Sequence, residues 1–164
     1  MILKGLPLIA NFSGIPALLD ANLLLLFWCA GFDRRLVGSF KRLNCFCEQD
    51  VELLQAVLTL FPTLRTTPHV LTEVSNLANS LPQWRKEAWV EYFARSVEAL
   101  PEQWIQAREI ATDPIFRLGI TDACLCRLAS SHVILTIDFP LSNYLESRNL
   151  NVINFDRLRG MQWQ

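Results

Sequence analysis

Charge is scarce in this sequence, and its signs nearly cancel. Asp, Glu, Lys and Arg account for 19% of the residues, and the formal net charge is −1. A typical soluble domain is about a quarter charged. Without an excess of positive charge, the composition alone does not indicate a nucleic-acid-binding protein, although a local basic surface would leave the total unchanged. The hydrophobic content of 51% instead indicates a thick buried sheet or an apolar surface used for association.

The sequence also lacks a convincing membrane span or secretion signal. Its most apolar stretch, residues 18–32, contains Asp20 and Asn22 and is too short to cross a bilayer. Two prolines, Asn11 and Asp20 interrupt the apolar N-terminal segment, and no small-x-small cleavage site follows it. The five cysteines are an odd number, which without a secretion signal favours reduced thiols. We therefore predict a cytoplasmic protein.

Four of the cysteines form two Cys-x-Cys pairs, Cys45 with Cys47 and Cys124 with Cys126. Such spacing has two interpretations, a zinc site or unligated thiols. The second pair falls on a predicted helix, where side chains two positions apart point to nearly opposite sides. We therefore interpret the cysteines as free thiols.

Short apolar segments alternate with helical patterns along the 164 residues, and no repeat or linker interrupts them. Strands are predicted at 16–19, 64–66, 133–137 and 151–154. Helices are predicted at 23–30, 32–43, 51–61, 83–100, 101–112 and 141–147, and two more begin with Thr67 and Thr121 as N-caps. This alternation predicts a single α/β domain with a parallel sheet and helices on both faces.

Four acidic residues lie in or beside segments otherwise suited to burial: Asp20, Glu73, Asp122 and Asp138. A carboxylate in an apolar setting is costly unless it is paired, hydrogen-bonded or bound to a metal. None of the four has a basic residue as a direct sequence neighbour. Asp20 and Asp138 end predicted strands and Asp122 starts a helix, so all three belong to the carboxyl edge of a parallel sheet, where ligands gather. Convergence of the four would indicate a divalent metal site.

Four short motifs around these acids occur in the order and spacing of a known family. They are Leu18-Leu-Asp20-Ala-Asn22, Thr67-Pro68 through Leu71-Thr-Glu73-Val-Ser-Asn76-Leu, Gly119-Ile-Thr-Asp122-Ala, and Leu135-Thr-Ile-Asp138 followed by Leu141. Together with the closing segment 151–155, they resemble the PIN-domain ribonucleases over residues 14–158. The resemblance implies a three-layer α/β/α sandwich around a mostly parallel sheet of about five strands. Residues 1–14 would then be an N-terminal extension of a single domain spanning 1–164.

The resemblance also implies a chemistry, the metal-dependent cleavage of RNA. One or two Mg²⁺ or Mn²⁺ ions would acidify a water and stabilise the charged transition state. All four acids are then catalytic metal ligands: Asp20 and Asp122 bind directly, and Glu73 and Asp138 bind directly or through water. Thr136 and Asn22 flank the acids and would orient ligands or waters. Many small members of the family are toxins (VapC type) that pair with a small antitoxin protein.

Each acid also has a purely structural interpretation. Asp20 and Asp138 are placed to cap helices, and Asp122 is placed to complement a helix dipole. The other candidate functions are a catalytically silent PIN-like module that binds RNA or protein, and a phosphotransferase with Asp20 as nucleophile. The phosphotransferase normally has a second aspartate where this chain has Asn22.

The densest basic cluster comprises Arg34, Arg35, Lys41 and Arg42 on the predicted helix 32–43. It is either a set of phosphate contacts at the mouth of the site or the solvated face of an amphipathic helix. His69 precedes Glu73 by four residues and would share its helix face, either as a metal or RNA contact or as a surface side chain. Four aromatic residues either stack on bases or pack in the core or a dimer interface, and the low charge favours a homodimer: Trp84, Trp89, Tyr92 and Phe93.

Overall fold

Four parallel strands form the centre of the molecule in the computed structural model, which describes Ile9 and residues 11–162, the last without its side chain. The strands are β1 (Ala17–Leu19), β2 (Leu64–Arg65), β3 (Val133–Thr136) and β4 (Val152–Asn154), in the spatial order β2-β1-β3-β4. Ala17 pairs with Leu64 on one side and with Val133 on the other. The α/β prediction and the four predicted strand positions are confirmed.

A fifth strand was expected, and the described part of the chain has four. Directly after β2, Thr66 forms an isolated parallel bridge with Glu102 in place of a fifth strand. The Thr66 N–H donates to the carbonyl of Pro101 at 3.0 Å, and the Gln103 N–H donates to the carbonyl of Thr66 at 2.7 Å. This extended segment lies where a helix over 101–112 was predicted. The helical part is limited to Ala107–Ile110.

Eight helices lie in the described part of the chain. They are α1 (Ala21–Phe32), α2 (Glu48–Leu58), α3 (Pro68–Ala78), α4 (Gln83–Ala99), α5 (Ala107–Ile110), α6 (Ile120–Leu128), α7 (Phe139–Ser147) and α8 (Phe155–Gln162). Helix α1 contacts β1, β3, α2, α3 and α4, whereas α7 contacts β3, β4 and α6. The arrangement is compatible with helices on both faces of the sheet. None of the helices in the described residues is long and apolar enough to span a membrane.

The segment 32–43 was predicted to be one helix, and this prediction is wrong. It contains two short 3-10 turns, Arg34–Leu36 and Lys41–Leu43. Gly38 lies between them with φ of 78°, a conformation that does not continue a right-handed helix. The Asp33 side chain accepts a hydrogen bond from the Arg35 N–H, which ends α1 and starts the first turn.

The helix starts on the carboxyl side of the sheet follow local capping rules. Thr67 caps α3 by accepting from the Val70 N–H at 3.2 Å, and Pro68 occupies the first turn, as predicted. Helix α6 was expected to start with Thr121 as its N-cap. The cap is instead Gly119 with φ of 141°, and Thr121 lies inside the first turn together with Asp122.

One continuous hydrophobic core joins the sheet to its helices, in keeping with a single domain. All of β1 and β3 is buried, and Ile9, Phe12 and Ile15 pack against the same core. Most of the predicted N-terminal extension, residues 1–8 and Ala10, lies outside the described residues.

Candidate active site

Asp20 joins two elements at the carboxyl edge of the sheet. It follows β1 and caps α1, because its Oδ1 accepts a hydrogen bond from the Leu23 N–H at 2.8 Å. Its Oδ2 accepts from the Thr136 hydroxyl at 2.5 Å and from the Ile137 N–H at 3.0 Å, at the end of β3. Burial raises the pKa of Asp20 to about 6, although the hydrogen bond from Thr136 opposes the rise.

Asp138 lies beside Asp20 at the end of β3. It caps α7 by accepting from the Leu141 N–H at 2.7 Å, and its own N–H donates to the Thr136 hydroxyl oxygen at 2.8 Å. Thr136 is fully buried, and its hydroxyl group links the carboxylate of Asp20 to the backbone N–H of Asp138. Its position next to Asp20 agrees with the orienting role predicted for it, whereas Asn22 lies half-buried in the first turn of α1.

Asp122 and Glu73 bring two further helices to the same place. Helix α6, which carries Asp122, packs against α3, which carries Glu73, and both side chains are half-buried. Burial, and then the negative charges of Asp138, Glu73 and Asp20, raise the pKa of Asp122 to about 7. Each of the other three acids therefore lies close enough to Asp122 for its negative charge to act on it. None of the salt bridges among the described residues involves any of the four.

The structural interpretation is correct for part of this cluster. Asp20 and Asp138 do cap helices, and Asp122 does lie in a first helical turn. Glu73 is in the middle of α3, so it does not cap a helix. Neither Glu73 nor Asp122 makes a side-chain hydrogen bond within the described residues. Capping alone therefore leaves two of the four acids without an explanation.

The donor set suits a hard divalent cation. Among the described residues, no three His, Cys, Asp or Glu side chains form a ready-made metal cluster. Mg²⁺ does not require one, because it is usually held by one or two carboxylates together with waters and substrate phosphates. Asp122 meets this requirement best, since its oxygens are not committed to other described groups. Asp20 has fewer free lone pairs because three hydrogen bonds reach its carboxylate.

The cysteines do not form a cluster of potential metal ligands within the described chain. All five are free thiols, and neither Cys-x-Cys pair belongs to a group that holds a metal. Cys124 and Cys126 are both buried, because α6 is covered on more than one side. Burial raises the pKa of both thiols, so neither is an activated nucleophile.

A cleft of about 350 Å³ opens beside the acids, along one face of α3. Its walls come from α3 and from the start of α6: Pro68, His69, Thr72, Glu73, Asn76, Ile120 and Thr121. His69 shares the face of Glu73, as predicted, and its Nδ1 is buried without a hydrogen bond to a described group. Thr72 and Asn76 were not identified from the sequence. The 69-72-73-76 spacing, which follows one helical face, was the available signal.

The basic residues lie elsewhere. Arg34, Arg35 and Lys41 follow the end of α1, whereas Asp20 precedes its start. Twelve residues of helix separate the two places by about 18 Å at 1.5 Å per residue. The cluster is therefore at the opposite edge of the sheet and not at the mouth of the acidic site. Arg34 forms an ion pair with Glu48 and Arg35 forms one with Asp33, and contact of all three basic residues with RNA stays a prediction.

The predicted aromatic group divides into core and surface members. Trp89 is buried, edge-on to Phe32 and stacked with Phe93 at 5.9 Å between ring centroids, so the packing interpretation is confirmed for it. Tyr92 packs beside the same rings. Trp84 differs, because it is 75% exposed.

Comparison with family models, with curated proteins and with solved structures finds no significant match.

Proposed function

We propose that this chain is a Mg²⁺- or Mn²⁺-dependent endoribonuclease of PIN-like, three-layer architecture that hydrolyses RNA phosphodiester bonds. The observation that carries the proposal is the environment of Asp122. Burial, and then the charges of Asp138, Glu73 and Asp20, raise its pKa to about 7, and none of the four acids forms a salt bridge with a cation among the described residues. Such a concentration of negative charge in a folded protein is relieved by binding a cation. The order of the four motifs supplies the link to a ribonuclease.

In the proposed mechanism, Asp20 and Asp122 would hold the metal directly, and Glu73 and Asp138 would hold it directly or through water. A cation bound there would relieve charge on the phosphate and acidify a water. Asp20 is held in one orientation by the Thr136 hydroxyl and two backbone N–H groups.

The cleft along α3 provides the place for a nucleotide next to the scissile phosphate. It begins at Glu73 and extends past His69 and Asn76. Its volume of about 350 Å³ lies within the range of small-ligand pockets. Its hydroxyl, amide and imidazole groups suit the polar edges of a base or sugar.

The remaining partners are proposed from the resemblance. A small antitoxin protein would cover the active site if the chain is the toxin of a toxin–antitoxin pair. A homodimer accords with the low charge content, and a cytoplasmic location accords with five free cysteines.

A second candidate function is a catalytically silent PIN-like module that binds RNA or protein. It is favoured by the helix-capping roles of Asp20 and Asp138, and by the lack of a ready-made metal cluster in the described residues. In this case the acids stabilise the fold and do not turn over substrate.

The two functions are separated by cleavage of single-stranded RNA with purified protein and Mn²⁺. We expect cleavage by the wild-type protein, none in EDTA, and losses of at least about a hundredfold for Asp20→Asn and Asp122→Asn. Glu52→Gln, an exposed substitution on α2, is the matched control and retains activity. Calorimetric titration with Mn²⁺ gives a readout independent of turnover. Cleavage that persists in EDTA or in both aspartate variants refutes the nuclease, and absence of both cleavage and Mn²⁺ binding supports the silent module.

A further inference from the structure

A second cleft, of about 330 Å³, lies at the edge of the sheet opposite the acids. One wall comes from the turns after α1, and the other from the connection between α3 and the start of α4. Both α1 and α3 follow parallel strands, so their C-terminal ends reach the same edge. The polar side chains in its lining are Arg35, Ser39, Lys41, Ser80 and Arg85, and the aromatic ones are Phe40 and Trp84.

The cleft is locally positive in a chain whose net charge is −1. Arg35 and Arg85 both form ion pairs with Asp33, which lies at the end of α1. The hydrogen bonds from Arg35 keep the pKa of Asp33 at about 2, so this carboxylate remains charged. Lys41 is exposed and forms no salt bridge with a described residue. Three cations against one anion leave an excess of positive charge.

Trp84 presents an aromatic surface next to these cations. It is 75% exposed, although tryptophan is a residue that proteins normally bury to a large extent. The guanidinium carbon of Arg85 lies 4.3 Å from a Trp84 ring centroid, so the indole rests on a cation. Arg85 itself is largely buried, and its Nε has no hydrogen-bond partner among the described groups. One face of the indole ring therefore packs against a largely buried side chain.

We propose that this cleft binds single-stranded RNA, with one base stacked on Trp84 and a neighbouring phosphate in contact with Lys41 and Arg35. An exposed aromatic ring beside cations is the combination by which proteins hold single strands without reading their sequence. An acidic peptide would use the cations but would give the exposed indole no stacking partner. The inference rests on the proposed function in one respect, that RNA is the substrate.

The position of the cleft has a consequence for substrate length. About 18 Å of α1 separates it from Asp20, so only a strand long enough to follow the molecule contacts both places. Long substrates should therefore have a lower KM than short ones. Loss of the cleft should raise the KM for long substrates and leave kcat unchanged.

Binding is measured by fluorescence anisotropy of a labelled single-stranded oligoribonucleotide in EDTA, where metal-dependent cleavage is stopped. We expect Trp84→Ala to weaken binding roughly tenfold and Trp84→Phe to retain most of it. Lys41→Ala should weaken binding to RNA of any sequence. It should also reduce the slope of log affinity against log salt concentration by about one, because about one fewer counterion is released. Trp104→Ala is the matched control, because Trp104 is a second indole, 69% exposed, outside the cleft. It should bind like the wild-type protein.

The inference is overturned if Trp84→Ala and Lys41→Ala bind the oligoribonucleotide as tightly as the Trp104 control. It is also overturned if an acidic peptide displaces the RNA and binds equally to the wild-type protein and Trp84→Ala, because the cleft would then be a general anion site. Failure of the proposed function appears separately, as lack of Asp20-dependent cleavage. That result does not alter the binding measured in EDTA.

Discussion

Burial and charge repulsion together raise the pKa of Asp122, and this should have a measurable effect on the stability of the fold. Replacing Asp122 with Asn removes the ionisable group and keeps its shape. The pKa rises from 3.8 to about 7 on folding, and each unit corresponds to about 1.36 kcal/mol, which sets an upper limit of about 4 kcal/mol. Because the side chain is only half-buried, solvent screening reduces the expected effect to about 1–2 kcal/mol.

The sign follows from proton binding. Between about pH 4 and pH 7 the folded wild-type protein holds a proton on Asp122 that the unfolded chain has released. The free energy of unfolding of the wild-type protein therefore falls as pH rises through this window. Asp122→Asn lacks this loss, so its stability relative to the wild type should increase by about 1–2 kcal/mol from the bottom to the top of the window.

The assay is urea denaturation at several pH values in EDTA, followed by the same series with Mn²⁺. Glu52→Gln, whose side chain is exposed on α2, is the control and should show no pH-dependent difference from the wild type. Added Mn²⁺ should stabilise the wild-type protein more than Asp122→Asn, because the ion binds the folded state. A difference in free energy of unfolding between Asp122→Asn and the wild type that stays constant across this pH window would refute the raised pKa of Asp122.

Three further outcomes are expected. Thr136→Val removes the hydroxyl donor to the buried Asp20, and should lower the free energy of unfolding at neutral pH by about 1–3 kcal/mol in urea titrations. Arg159→Met removes the partner of Asp50, which is 2% exposed, and should cost about 3 kcal/mol in the same assay, far more than an exposed ion pair. Mn²⁺ binding, measured by calorimetric titration, should strengthen as pH rises towards about 7, because the ion must displace the proton that Asp122 holds in the metal-free protein, and an affinity that is flat across this range contradicts a role for this group.

Local patterns in the sequence were sufficient to place most of the sheet. Each strand is a short apolar segment, and β3 is buried along its whole length, so periodicity and burial agree there. The start of α3 was predicted correctly, because Thr67 followed by Pro68 is typical of an N-cap and the first helical position. Patterns failed where the tertiary structure decided between options. Segment 32–43 has a helical stripe, yet the positive φ of Gly38 divides it into two turns.

The buried acid Asp50, which pairs with the half-buried Arg159, shows a second limit of sequence reasoning. Asp50 accepts a hydrogen bond from the Cys47 N–H at the start of α2, which is a local capping contact. It is also almost completely buried against Arg159, more than a hundred positions later in the chain, in a terminal helix that was not predicted. No local pattern reports a partner at that separation.

The same limit applies to the candidate site, where the acids differ in how far local sequence could place them. Asp20 and Asp138 follow strands, so their meeting at the sheet edge follows from parallel topology alone. Glu73 lies inside α3, and only the packing of α3 against α6 brings it to Asp122. Asp20 and Asp138 also cap helices, whereas Glu73, whose position depends on packing, has no capping role. Substitutions at Glu73 therefore report on function more cleanly than substitutions at Asp20 and Asp138, which also remove a cap.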